Sequence, residues 1–251
     1  MMDNDFAWRM ILEQIEREIA LWGGYSLLQG NQGLKLTQDS ALLSDFVRLK
    51  PGERGLELGT GQGGLYVLTL LRNQAGELDG VERNPEALAV ARRNQVRCGL
   101  EGRGRLYEGD LRQFQGRAPY QVCLCNPPYG LPGPKPRNAV QRLARGEEGC
   151  GIDQLCQALR RLLADKGRFY FCWPARRWNW AAKALDRAGF SPRLLRPVRY
   201  QADKPAQLLL VMARRGLGEL EIGPPLVLRE PTGEYSTEYR RIYRLDEERE
   251  G

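Results

Sequence analysis

From Gly55 onward, short apolar runs alternate with stretches of helical periodicity, an order that a layered α/β domain satisfies. The pattern predicts strands over residues 55–58, 77–82, 105–108, 120–125 and 167–173, with a closing strand pair over 194–200 and 207–213. Helices are predicted over 64–73, 85–98, 151–163 and 178–188, with Pro85 at a favoured first-turn position. This alternation implies a doubly wound, mostly parallel sheet. Such sheets bind ligands beyond the carboxyl ends of their strands, where strand order reverses. Four groups fall at those ends: a glycine turn after the first strand, Glu82 after the second, Asp110 after the third and Asn126 after the fourth.

Gly59, Gly61 and Gly63 permit a tight turn that brings backbone close to a ligand, and the helix start behind it suits a carboxylate. The same spacing fits a dinucleotide fingerprint, in which an acidic residue about twenty positions on, here Glu82, accepts ribose hydroxyls. Asp110 is positioned to accept an amino group from an adenine ring. Glu57 lies inside the first strand, where an unpaired carboxylate is costly, so a ligand ammonium group is its expected partner. The fourth strand runs into Asn126-Pro127-Pro128-Tyr129. Two prolines end a strand and stiffen the turn. They leave an amide oxygen and a prolyl carbonyl as acceptors beside an aromatic ring, which suits a planar substrate bearing an NH2 group. Dinucleotide binding does not account for that last feature.

Composition removes several chemistries. The chain has no histidine, which excludes Ser–His triads and every His-containing metal site. None of the 6 cysteines forms a CxxC pair, so no metal site is expected, and reduced thiols fit a cytoplasmic protein. No apolar run reaches the ~18 residues of a membrane span. Lys and Arg total 38 against 31 Asp and Glu, a balance that suits a polyanionic partner. Lys135, Arg137, Arg142 and Arg145 cluster in a Pro/Gly-rich loop after Tyr129, and Arg176, Arg177, Arg193, Arg196 and Arg199 form a second concentration.

The glycine turn and Asn126-Pro127-Pro128-Tyr129 together resemble amino-methyltransferases that use S-adenosylmethionine. Within that group, the segment from Gln29 through Gly33-Leu34-Lys35-Leu36-Thr37-Gln38-Asp39-Ser40 to Leu43 is similar to the entry segment of the bacterial tRNA1(Val) adenine-37 N6-methyltransferases. Ala144-Arg145-Gly146-Glu147 and the tail containing Gly233-Glu234-Tyr235-Ser236 carry the same likeness, although Gly146 replaces the family's histidine. The resemblance implies a Rossmann-like class I fold with seven strands and an antiparallel last strand. It implies methyl transfer to an exocyclic amine, adenine N6 of RNA and of tRNA above all. Asn126 and Pro127 would orient the amine, Pro128 would stiffen the turn and Tyr129 would stack. The cofactor would rest on Glu57, Gly59, Thr60, Gly61, Glu82, Asp110, Leu111 and Asn126, with Thr37 and Asp39 capping its methionine end. Lys135, Arg137, Arg142 and Arg145 would meet RNA phosphates.

Glutamine methyltransferases of the release-factor type and guanine-N2 rRNA methyltransferases share the four-residue motif and stand as alternatives. So does an RNA-binding module with a retained cofactor pocket. The release-factor enzymes carry a helical domain ahead of the core, whereas about twenty residues precede the entry segment here, room for one helix. Residues 5–22 read as that helix, an amphipathic extension over 1–24 with Met10, Ile11, Ile15, Ile19 and Trp22 on one face. The methyltransferase domain is expected over 25–251, with 25–36 a loop or hairpin, a helix capped by Thr37 or Asp39, and a tail over 216–251.

Overall fold

Strand β3 (Arg54–Leu58) carries consecutive buried residues from Gly55 to Leu58, as a strand covered on both faces must. It pairs in parallel with β4 (Glu77–Glu82) on one side and β6 (Tyr120–Cys125) on the other. The computed structural model describes residues 17–30, 36–129 and 151–246. Short β5 (Leu106–Glu108) extends the sheet beyond β4, and β7 (Leu163–Pro174) continues it in parallel beyond β6. The last long strand, β9 (Ala206–Arg215), inserts antiparallel between β7 and β8 (Phe190–Arg199). Strand order reverses at β3, whose neighbours β4 and β6 lie on opposite sides. The seven expected strands thus form. Two more of two residues each, β10 (Glu221–Ile222) and β11 (Leu226–Val227), lie parallel to β8 and bring the sheet to nine among the described residues.

Side-chain alternation builds a core on each face. Leu56, Leu58, Cys123, Cys125, Phe169 and Phe171 point to one core, which α4 (Ile152–Leu162) and α5 (Trp178–Arg187) cover. Val122, Leu124, Tyr170 and Cys172 point to the other, covered by α1 (Gln38–Phe46), α2 (Gly64–Arg72) and α6 (Thr237–Tyr243). The remaining helix, α3 (Pro85–Arg97), starts at Asn84, whose side chain accepts from two backbone N–H groups of its first turn.

The expectation of a helix over residues 5–22 is corrected where it can be compared. Residues 17–20 form strand β1 (Arg17–Ala20), paired antiparallel with β2 (Ser26–Gln29); the preceding residues lie outside the described ones. Gly23 and Gly24 take positive φ in the connecting turn, so they reverse the chain instead of capping a helix. Ile19 and Leu27 face each other across the pair, and apolar spacing over so short a run does not separate helix from strand.

Two buried amides dock this hairpin. Asn94 accepts from Leu28 N–H and donates to the Leu28 and Gln62 carbonyls. Gln62, inside the glycine turn, exchanges hydrogen bonds with the backbone of Gly30. The glycine turn, α3 and the entry segment are thereby one hydrogen-bonded unit.

A buried charge closes the opposite end of the sheet. Asp79 on β4 has no solvent-exposed surface and receives Arg117 at 2.6 Å, the Tyr120 hydroxyl at 2.9 Å and the Arg105 N–H at 2.9 Å. Removing the carboxylate leaves three donors without their acceptor, and Arg117 retains some solvent to soften the loss. Asp79→Ala is expected to lower unfolding free energy by roughly 3 kcal/mol in chemical denaturation. A loss below roughly 1 kcal/mol would show that water replaces the network.

Candidate active site

The carboxyl ends of β3, β4, β5 and β6 open into a crevice of two adjoining cavities that share Gly59, Asn126, Pro127 and Pro128 as their common wall. Glu82, Asp110 and Leu111 line one half with Arg83, Arg112 and Leu155. Thr37, Asp39, Glu57, Thr60, Gly61 and Tyr129 line the other, with Ser40 and Leu65. All ten residues assigned to a cofactor from sequence therefore border one crevice, at the point where strand order reverses.

The turn after β3 places Gly59, Gly61 and Gly63 at φ of 76°, 55° and 85°, a left-handed region that glycine enters without a steric cost. Gly63 also packs against α3, where an added Cβ would come within 3.1 Å of Ala91. Glu57 is buried on β3, and among the described residues its Oε2 has no hydrogen-bond partner, nor has the nearby Thr60 hydroxyl. Burial pushes the Glu57 carboxyl well above the usual carboxylate range, and the neighbouring charge of Glu82 adds to the shift. A buried acceptor without a donor, bordering a cavity, is a site built for a cationic or hydrogen-bonding ligand group.

Glu82 is held by two backbone donors, Gly61 N–H on Oε2 and Asn84 N–H on Oε1, both at 2.8 Å. The carboxylate is thus fixed in direction while retaining acceptor capacity. Asp110 is already engaged. Arg112 reaches both of its oxygens through the guanidinium and donates its backbone N–H as well. These hydrogen bonds bring the Asp110 carboxyl down to about 2.

Around Asn126, three distant stretches of chain converge. Its Nδ2 donates to the Ser40 hydroxyl at 3.0 Å and the Thr37 hydroxyl at 3.2 Å, both at the start of α1. Thr37 caps that helix through Ser40 N–H, as expected; Asp39 belongs to the first turn instead. The Tyr129 hydroxyl lies 2.6 Å from Asp39 Oδ2 and 3.2 Å from Asn126 Oδ1. A phenol has one proton, and the shorter, charged acceptor takes it. That leaves Cys172, on β7, as donor to Asn126 Oδ1 at 3.1 Å. Oδ1 then accepts one hydrogen bond, and an amide oxygen has capacity for two. Burial pushes both the Tyr129 phenol and the Cys172 thiol up, so each keeps its proton at neutral pH. The Tyr129 ring meets Trp173 edge-on at 5.9 Å, and Arg177 donates to the Tyr129 carbonyl.

Sequence reasoning missed Ser40, Arg112 and Cys172. Arg112 was legible as a basic residue two positions from Asp110; Ser40 and Cys172 reach Asn126 only through the fold. Lys135, Arg137, Arg142 and Arg145 lie outside the described residues. Of the second basic cluster, Arg193 binds the Leu217 carbonyl and Arg196 binds Glu238 through both carboxylate oxygens, so these two tie the tail to β8, while Arg199 binds the Ala202 carbonyl in the turn after β8. Among the described residues no His/Cys/Asp/Glu group is arranged to hold a metal, and no helix is long and apolar enough to cross a membrane.

Residues 34–148 match the family model of the methyltransferase small domain. A tRNA1(Val) (adenine(37)-N6)-methyltransferase of Aliivibrio salmonicida is 26% identical over 179 residues, covering 71% of this chain and 76% of the relative. One of the same description from Yersinia pestis is 26% identical over 239 residues, 92% of this chain and 96% of the relative. Among solved structures, a predicted O-methyltransferase from Agrobacterium tumefaciens superposes with a TM-score of 0.66 at 18% identity, over 82% of this chain and 96% of that one. The fold is that of class I methyltransferases, and the protein is an S-adenosylmethionine-dependent methyltransferase.

The methyltransferase crevice owes part of its rigidity to the Tyr129–Asp39 bond between residues ninety positions apart. Tyr129→Phe keeps the ring and deletes this bond to a half-buried carboxylate. Unfolding free energy should fall by about 1.5 kcal/mol in urea titration; no change would mean that Asp39 is equally well solvated without the phenol.

Proposed function

We propose that this enzyme methylates the exocyclic N6 amine of an adenine in tRNA. The observation that carries the reading is the Asn126 amide. Its donor end is held by two hydroxyls, its acceptor end meets the Cys172 thiol and the Tyr129 phenol, and the residue lines both halves of the crevice beside Pro127. The relatives that span most of the chain act, by name, on adenine 37 of a tRNA, which supports the same substrate class.

The residues present fit S-adenosylmethionine. The unpartnered Glu57 suits its ammonium group, the glycine turn and the start of α2 suit its carboxylate, and the backbone-fixed Glu82 suits its ribose hydroxyls. Asp110 and Leu111 border the half that would receive the adenine, with Arg112 fixing the carboxylate's direction. Thr37 and Asp39 border the half that would receive the cofactor's methionine end, and they also hold Asn126 and Tyr129 in place. When bound, the cofactor supplies a methyl group already activated on a sulfonium, so the protein's task is orientation.

Asn126 Oδ1 and the Pro127 carbonyl accept the two N–H bonds of the target amine, turning its lone pair out of conjugation and toward the methyl. These bonds strengthen as positive charge develops on nitrogen, which is stabilisation specific to the transition state. Pro128 removes a backbone donor and stiffens the turn. Tyr129 offers a ring face to the target base, which must leave its own stack to reach the site. Lys135, Arg137, Arg142 and Arg145 are assigned to phosphate contacts on their spacing alone. Work on tRNA implies a cytoplasmic location.

Nucleoside mass spectrometry after incubation of unmodified tRNA with the protein and S-adenosylmethionine tests the proposal. N6-methyladenosine should form. Asn126→Ala should lower turnover about 100-fold or more, as loss of a transition-state acceptor does, while cofactor affinity changes less than about threefold. Formation of N2-methylguanosine, or equal loss of turnover and cofactor affinity, would contradict the assignment.

A further inference from the structure

Beyond Tyr129 lies a second cavity, of about 360 Å³, which shares Tyr129 and Asp39 with the cofactor half of the crevice and is closed on its far side by the tail. Its walls include Pro174, Tyr200, Gln207, Arg229 and Tyr235. Tyr200 and Tyr235 are 44% and 38% exposed. The Arg229 guanidinium lies between them, 4.1 Å from the Tyr235 ring centre and 5.9 Å from that of Tyr200.

Other contacts also hold the tail in place. Ser236 caps α6 and bonds back to Val227, Ile242 is fully buried, Tyr239 and Tyr243 stack, and Arg196 grips Glu238. Tyr235 extends that stack onto Tyr239 by one ring, which fixes its orientation. A bridge between Arg229 and Tyr235, with Gly233 at φ 90°, turns the loop so that both face the cavity.

Tyr235 is taken up by Tyr239 and Arg229, so Tyr200, from which Arg229 stands farther off, is the ring that can take a base. An aromatic face beside an arginine, with a side-chain amide at the wall, is a recurring means of holding an unstacked nucleotide: ring for the base, guanidinium for the phosphate, amide for the base edge. Arg229 spends one donor on the Gly233 carbonyl, and a guanidinium has five. Asp39 borders the same cavity, but its Oδ2 is occupied by the Tyr129 phenol and it lies at the Tyr129 end. We propose that this cavity is a second nucleobase subsite, which takes the nucleotide adjacent to the target in the RNA chain. The proposal rests on the RNA reading above and extends it: Tyr129 is the partition between the reacting base and its neighbour, and the tail is part of the substrate site.

Fluorescence anisotropy of a labelled, unmodified tRNA, with S-adenosylhomocysteine present, tests it on the full chain. Tyr200→Ala should weaken tRNA binding about tenfold, Tyr200→Phe should bind as the wild type does, and cofactor affinity should not move. Arg229→Gln should reduce the slope of log affinity against log salt by about one, which a merely structural role would not do. If Tyr200→Ala fails to fold, the Arg229→Gln slope decides. Unchanged affinity and slope in the folded variants overturn the subsite and leave the methylation reading standing. A wild type that binds peptide but no tRNA overturns it as well. A wild type that binds tRNA with these sensitivities but forms no N6-methyladenosine keeps the subsite and defeats the proposed reaction.

Discussion

The side chain of Asn126 is held from three directions, and the site's geometry depends on that restraint. An amide on a loop after a strand is free to rotate unless both its ends are satisfied. Here the start of α1 satisfies the donor end, and Cys172 on β7 supplies a donor to the other. The two prolines after it remove backbone alternatives. Orientation of an acceptor before the substrate arrives is the main contribution a protein can make to methyl transfer from a sulfonium, because no covalent chemistry is asked of its own side chains.

The sheet explains why these parts meet. Strand order reverses at β3, so the glycine turn and the turn after β6 leave the sheet side by side. The hairpin docked by Asn94 and Gln62 then delivers α1 across the opening, and its first turn supplies Thr37, Asp39 and Ser40. Glu57 is the counterpart on the cofactor side. Its burial without a partner destabilises the ionised form, a cost that a bound ammonium group would relieve.

Much of this was legible in the chain because strand ends are written locally. The apolar run closed by Pro127 fixes where β6 stops, and Glu82 and Asp110 end their strands in the same way, so the crevice could be listed residue by residue. The hairpin was not legible: Ile19 and Trp22 satisfy helical spacing, and only pairing with β2 makes residues 17–20 a strand. Nor was the role of Asp39, whose bond to Tyr129 joins residues 90 positions apart, or that of Cys172, which reads as an apolar strand residue. The aromatic residues of that cavity, Tyr200, Tyr235 and Tyr239, are far apart in the chain and become one wall only when β11 and α6 fold back over β8. Contacts between distant segments leave no periodic mark in a sequence.

The account rests on one spatial relation, between the Asn126 acceptor and the reacting end of the cofactor. A crystal structure of the protein with S-adenosylhomocysteine measures it directly. The ligand's amino group should lie against Glu57, its ribose on Glu82, and its sulfur in the part of the crevice bounded by Asn126 and Pro127. A ligand bound outside this crevice, or a sulfur separated from Asn126 Oδ1 by the Tyr129 ring, would contradict it.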